Sequence, residues 1–451
     1  MKFVDSKTSF FEKIKYLEHF DYKRFNLFKV ALTGYHLKYS SRFRLKFYHK
    51  NAFTYSCYIA LKWLFSKPLP RHYSSIGHQI ALFDNGRFEQ KNDEISSVHL
   101  GEISHLLSSN NVKHYNLIGN VEQQNVFNLE KLRSNVSVTP NFELLNLIRS
   151  VFKILRLIKS LGTLTETEYN DIKLAFIFFI KDLSFFRLLL KNNSLKSSFL
   201  CHHYYNEALI LALKEHNIVV NEVQHGIISS TKTFFFLPDD ILKLKKDALF
   251  ADRIFVFADF WKKCLIKGNE YKENNIYVLG KSNENLKENL QNNKTKNTIL
   301  IATQARVNQP TTNLTLELLE YAKQLSNNCS HQVLVQPHPF ENLEELNMLL
   351  KGSNVIIAKH SLMENLKRSS VFISGYSTTL FEARTLGGIK VYSLNTISEA
   401  RHINAMVELG VSYLLNKDNF EFKEEAQEIE EYFSEFQPNA IIQSIKSDLT
   451  N

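Results

Sequence analysis

The sequence predicts an α/β fold of two doubly wound parallel-sheet units with Rossmann-like alternation, facing across a cleft. Short apolar runs alternate with helix-length segments from Phe199 to Gly280, and again from Thr298 to Ser393. Between them, Asn283 to Asn297 is rich in Asn, Lys and Glu and reads as a linker. The two most distinctive motifs, Gln336-Pro337-His338-Pro339 and Ser374-Gly375-Tyr376-Ser377-Thr378-Thr379, each follow an apolar run. They therefore sit on the strand-end rim of one sheet, where ligands bind in open α/β sheets.

The elements divide the 451 residues into a basic aromatic segment (1–66), a first unit (67–282), the linker (283–297), a second unit (298–423) and a terminal helix (424–451). Residues 1–66 hold 13 Lys and Arg against 4 Asp and Glu, which equals the whole chain's net charge of +9. Their cations interleave with aromatics, first at Lys23, Arg24, Phe25, Phe28 and Lys29, then at Arg42, Phe43, Arg44, Lys46, Phe47, Tyr48 and Lys50. Such a surface suits anionic lipid headgroups, and nucleic acid is the competing partner.

In the first unit, Ile80 to Phe83 and Tyr115 to Ile118 read as strands. Helical spacing of Leu144, Leu147, Val151, Ile154, Leu157 and Ile158 predicts a helix over Asn141 to Leu161, and a second covers Glu166 to Leu190. Strands follow at Phe199 to His202, Ile218 to Val223, Asp252 to Phe257 and Ile276 to Leu279. In the second unit they fall at Thr298 to Ala302, Gln332 to Gln336, Asn354 to Ala358, Ser370 to Ser374 and Ile389 to Ser393. The tail from Glu424 to Ile445 reads as helix. Cys57, Cys201, Cys264 and Cys329 lack metal-ligand spacing and read as reduced thiols, and no signal peptide is evident; the expected compartment is cytoplasmic.

Candidate chemistry gathers at strand ends. His225, in Gln224-His225-Gly226, follows a strand and has the pKa suited to a general base, with Glu222 as the competing base on the same edge. His338 is stiffened between two prolines and can bond a phosphate oxygen. Ser374, Ser377, Thr378 and Thr379 precede or open a helix, a phosphate-binding arrangement. Thr379 and Glu382 also fit a capping box, and Glu382 could accept from ribose hydroxyls. Arg306 could pair with a diphosphate. His202 and His203 follow another strand and could line the acceptor side. No metal or cofactor is expected.

On these residues the chain resembles GT-B glycosyltransferases of bacterial capsule and lipopolysaccharide synthesis. The group includes sialyltransferases, polysialyltransferases, Kdo transferases and teichoic-acid glycerophosphotransferases. His338-Pro339 and Ser377-Thr378-Thr379 match motifs that contact the nucleotide there, and His225-Gly226 matches a His-Gly implicated as base. The resemblance spans about residues 200–400. It implies a nucleotide-sugar donor, CMP-linked donors among the candidates, and a glycan or glycolipid acceptor; with the basic segment, the expected place is peripheral, on the inner face of the cytoplasmic membrane, with no nucleic acid as partner. The acidic motif of many sialyltransferases is absent: Asp93-Glu94 is followed by Ile95 and Asp239-Asp240 by Ile241. That departure favours His225. A polyol-phosphate transferase and a non-catalytic glycan- or nucleic-acid-binding module are the alternatives.

Overall fold

The computed structural model describes residues 10, 13–14, 16–37, 78–84, 88–91, 94–118, 126–128, 142–229, 235, 247–268, 271–281, 297–305, 311–339, 341–422 and 431–450. The first sheet has seven parallel strands: β1 Ile80–Asp84, β2 His114–Ile118, β3 Val126–Asn128, β4 Ser197–Leu200, β5 Val219–Val223, β6 Arg253–Val256 and β7 Ile276–Val278. Their spatial order is β7-β6-β5-β4-β1-β2-β3. The second sheet has six: β8 Thr298–Ala302, β9 Gln332–Gln336, β10 Ile356–Ile357, β11 Val371–Ser374, β12 Lys390–Leu394 and β13 Tyr413–Leu415, ordered β10-β9-β8-β11-β12-β13. Both are doubly wound. The order reverses beside β1 and beside β8, which opens a crevice at the strand C-termini between β1 and β4 and between β8 and β11. The expected fold class holds, with β13 as an added edge strand.

Helices cover the sheets, which is why the strands read as nearly continuous apolar runs. The first unit carries α1 Phe28–Leu37, α2 Gly101–Ser109, α3 Phe142–Leu161, α4 Glu166–Leu190, α5 Glu207–Glu215 and α6 Asp259–Gly268. The second carries α7 Asn313–Asn328, α8 Leu343–Leu349, α9 Leu362–Lys367, α10 Thr378–Leu386 and α11 Ala400–Glu408. Among the described residues no helix is long and apolar enough to cross a membrane.

The last helix, α12 Pro438–Thr450, returns to the first unit. Its Asp448 carboxylate accepts from Ser197 Oγ at 2.8 Å and from Arg253 Nη1 at 3.0 Å, while Ile441 and Ile445 share a core with Phe199 and Phe255. The sequence predicts helix from Glu424; residues 431–437 are instead extended or turned. The helix starts at Pro438, whose missing N–H is harmless in a first turn, and the preceding Gln437 N donates to Leu279 O at 2.6 Å.

Part of the basic N-terminal segment is interior. Phe25 and Phe28 are core residues, and Lys29 is 1% exposed. Lys29 Nζ donates to Leu249 O at 2.6 Å and lies 4.3 Å from the Phe250 ring centroid. Phe25, Phe28 and Lys29 are therefore interior packing, while Lys23 and Arg24 are exposed. Arg42, Arg44, Lys46 and Lys50 lie outside the described residues.

The two units meet at a joint. Trp261 of α6 lies 5.0 Å from Phe381 of α10, ring to ring, and its indole donates to Tyr432 O at 2.8 Å. Tyr432 closes on Phe381 at 5.0 Å. The returning chain then bonds back, Ser434 N to Phe257 O at 2.9 Å and Lys281 N to Ser434 O at 3.1 Å. Gly280 sits here with φ +77°, and a Cβ on it would lie 2.1 Å from Glu435 O. Gly352 has a similar φ of +81° but nothing within 4 Å. Gly280→Ala should therefore destabilise the protein by more than the ~1 kcal/mol of backbone strain expected at Gly352→Ala. Urea unfolding of both variants checks this; equal losses would mean that the close approach at Gly280 carries no weight.

Candidate active site

On the second unit, three loops leave the strand ends together. Gln304, two residues after β8, clamps the turn after β11: its Oε1 accepts from Tyr376 N at 2.8 Å and its Nε2 donates to Tyr376 O at 2.5 Å. Gly375 permits this, because a Cβ there would lie 2.7 Å from Gln304 Oε1 and 2.6 Å from Leu314 Cδ2. The loop then delivers Ser377 as N-cap of α10, accepting from Thr379 N at 3.3 Å. The expected Thr379–Glu382 capping box is not formed, because the N-cap is Ser377, two residues earlier. Thr379 is thereby released from capping, and its Oγ1 is buried with no hydrogen-bond partner. A buried unsatisfied hydroxyl costs about 1–3 kcal/mol. Thr378 is exposed at the helix start.

Glu382 lies one turn into α10, half-buried. Burial pushes its carboxyl above the usual range, and the Lys281 ammonium from the first unit partly offsets this. Ser374 does not join the candidate site: it is fully buried and donates to Ala302 O at 3.0 Å, tying β11 to β8. His338 follows β9, and its backbone amide donates to Glu341 Oε2 at 2.7 Å. Glu341 also takes hydrogen bonds from Thr303 and, at 2.8 Å, from Thr315 Oγ1. Burial raises this carboxyl too. Arg306 lies outside the described residues.

On the first unit, Gln224 fixes the end of β5. Its N donates to Phe255 O at 2.8 Å, its Oε1 accepts from Phe257 N at 2.8 Å, and its Nε2 donates to Gly226 O at 2.8 Å. This brackets the half-buried His225. Its Nε2 lies 2.6 Å from Tyr204 OH, and its Nδ1 is buried. His202 and His99 stand edge-on to His225 at 5.1 and 6.0 Å. Burial keeps the Tyr204 phenol protonated and lowers the His202 pKa. His202 Nδ1 accepts from Asn206 Nδ2 at 3.0 Å, which fixes its Nε2–H tautomer. Beside them Tyr205 holds φ +67°, a strained conformation for a bulky residue, of the kind that clusters at functional rims.

Two expected residues leave the site. Glu222 and His203 both have 0% exposure, so neither can meet an acceptor. Strand alternation turns Glu222 inward, where it takes His203 Nδ1 at 2.6 Å and Tyr271 OH at 2.8 Å. Burial works to raise the Glu222 carboxyl, but the His203 charge and hydrogen bond outweigh it and hold the pKa below the usual range. His203 packs among Phe235 and Phe250.

Gln304, Glu341 and His99 were missed in the sequence, whereas Tyr204 was read with His202 and His203 on the acceptor side. Asp84, at the first sheet's switch point, was also missed; it accepts from Cys201 Sγ at 3.3 Å and from Ser97. Among the described residues, no group of three or more His, Cys, Asp or Glu could hold a metal ion.

No protein-family model and no curated relative matches the chain. Among solved structures, it is similar to the UDP-GlcNAc 2-epimerase of Methanocaldococcus jannaschii, with 14% identity, 82% of this chain and 99% of that one covered, and a TM-score of 0.44. A glycosyltransferase from Rickettsia africae gives 13%, 83%, 88% and 0.37 for the same quantities. MurG from Acinetobacter baumannii gives 9%, 83%, 91% and 0.38.

The raised Glu382 carboxyl has a stability consequence. Its folded pKa exceeds its unfolded value, so the folded state holds the proton more tightly and gains stability as pH falls through the folded value. Above that value the buried charge opposes folding in full. Glu382→Gln should therefore raise the melting temperature at pH about 8, with the gain shrinking at acid pH. A lower melting temperature at alkaline pH would show that the carboxylate is structurally required.

Proposed function

We propose that the protein is a glycosyltransferase that moves a sugar from a nucleotide-sugar donor to a glycan or glycolipid hydroxyl. The observation that carries this reading is the buried, unpartnered Thr379 hydroxyl beside the start of α10, on the rim joined to the one holding His225. The helix start offers a positive dipole end and the Thr378 and Thr379 hydroxyls to a phosphate. Glu382 would accept from ribose hydroxyls. His338, on its pinned loop, would stabilise charge growing on the departing phosphate.

The acceptor would lie on the first unit. A protonated phenol beside His225 Nε2 fits the Nδ1–H tautomer, leaving Nε2 as the basic nitrogen. The acceptor hydroxyl passes its proton to Nε2, directly or through the Tyr204 hydroxyl. Its oxygen then bonds the anomeric carbon as the bond from that carbon to phosphate oxygen breaks. The nucleotide leaves with the electron pair. His202, neutral and tautomerically fixed, would bind another acceptor hydroxyl.

A thermal-shift screen over CMP, CDP, UDP, GDP and their sugars tests the donor half, since a ligand of the folded state raises its melting temperature. Thr379→Val should weaken the stabilising nucleotide by roughly tenfold or more, the worth of a hydrogen bond to a charged group. Unchanged affinity by calorimetry would remove Thr379 from the phosphate site. His225→Ala should cut turnover by about 10²-fold or more with donor affinity intact. Tyr204→Phe should alter the pH–rate profile. Near-normal turnover of folded His225→Ala would reject it as base.

A further inference from the structure

We propose that the outward face of α3 is a docking surface for anionic lipid headgroups. This goes beyond the reading of the active site and does not depend on it. The helix buries Leu144, Leu147, Val151, Ile154, Leu155 and Ile158 against the protein, and α4 is its neighbour. At about 100° per residue, Leu145, Arg149, Phe152, Lys153, Arg156 and Lys159 fall within an arc of roughly 120° on the opposite side. All six are exposed, with Phe152 at 57% and Leu145 at 47%.

The face carries four cations and no acid. The only acidic residue of α3 is Glu143, which is engaged by Lys23 at 3.0 Å. Among the described residues, no ion pair or hydrogen bond neutralises Arg149, Lys153, Arg156 or Lys159. An exposed Phe and Leu set among unpaired cations suit a helix lying in the headgroup plane, with the apolar groups at the acyl boundary and the cations on phosphates. Nucleic acid would use the cations but leave Leu145 and Phe152 in water, so a lipid surface is the better match.

Co-sedimentation of the full chain with phosphatidylglycerol–phosphatidylcholine vesicles tests this. The wild type should bind at low salt, ignore pure phosphatidylcholine and dissociate at high salt. Replacing Arg149, Lys153, Arg156 and Lys159 together by Gln should lower the partition coefficient by roughly a hundredfold or more. Phe152→Ser should lower it severalfold with all four cations in place. All these positions are exposed, and a circular-dichroism melt of each variant verifies folding. Wild-type binding by the folded quadruple variant would overturn the proposal. So would a wild type that ignores anionic vesicles while shifting an RNA or DNA probe. Loss of binding only on neutralising Arg42, Arg44, Lys46 and Lys50 would also overturn it.

Discussion

The contact of Trp261 with Phe381 and Tyr432 is the constraint on which the account rests. Each sheet is parallel, so each gathers its loops at one rim: the start of α10 and His338 lie on one, His225 and His202 on the other. The aromatic joint sits in the first turns of α6 and α10, and so brings those two rims together. The chain reinforces it by crossing back at Ser434 and placing α12 under the first sheet. Lys281, at the joint, carries the electrostatic link to Glu382.

The cost of the site is visible in its polar groups. Thr379 Oγ1 is buried without a partner, Glu382 is a half-buried carboxylate with a raised pKa, and Tyr205 is strained. Ser374 is bonded to Ala302, Asp448 to Ser197 and Arg253, and Lys29 to Leu249, whereas Asn221 Oδ1, His331 Nδ1 and Thr396 Oγ1 are buried without a hydrogen bond, as Thr379 Oγ1 is. Proteins break local rules where function demands it.

The second unit was the most legible part of the sequence, because parallel strands covered on both faces read as apolar runs and the helices between them carry caps such as Thr312 and Ser361. The three-residue strands Val126–Asn128 and Tyr413–Leu415 were too short to signal themselves. At the site, sequence placed His225, His338 and Ser377 at strand ends but could not say which way a side chain points. Glu222 is on the inward face of β5, and the register of α10 is set by Ser377 and not by the Thr379–Glu382 spacing. Gln304 and Glu341 act on loops tens of residues away in sequence, and no local pattern reports such a bond. Charge counting pointed to residues 1–66, where Lys29 is interior, and could not register the exposed cations of α3, which acids elsewhere in the chain balance.

Hydrogen–deuterium exchange with and without nucleotide reports binding at individual backbone amides and needs no acceptor, so it locates the phosphate site directly. Across CMP, CDP, UDP and GDP, the nucleotide that binds should slow exchange at the amides from Tyr376 to Leu380 more than anywhere else in the second unit. Binding that protects another strand end, with the start of α10 unchanged, would contradict it.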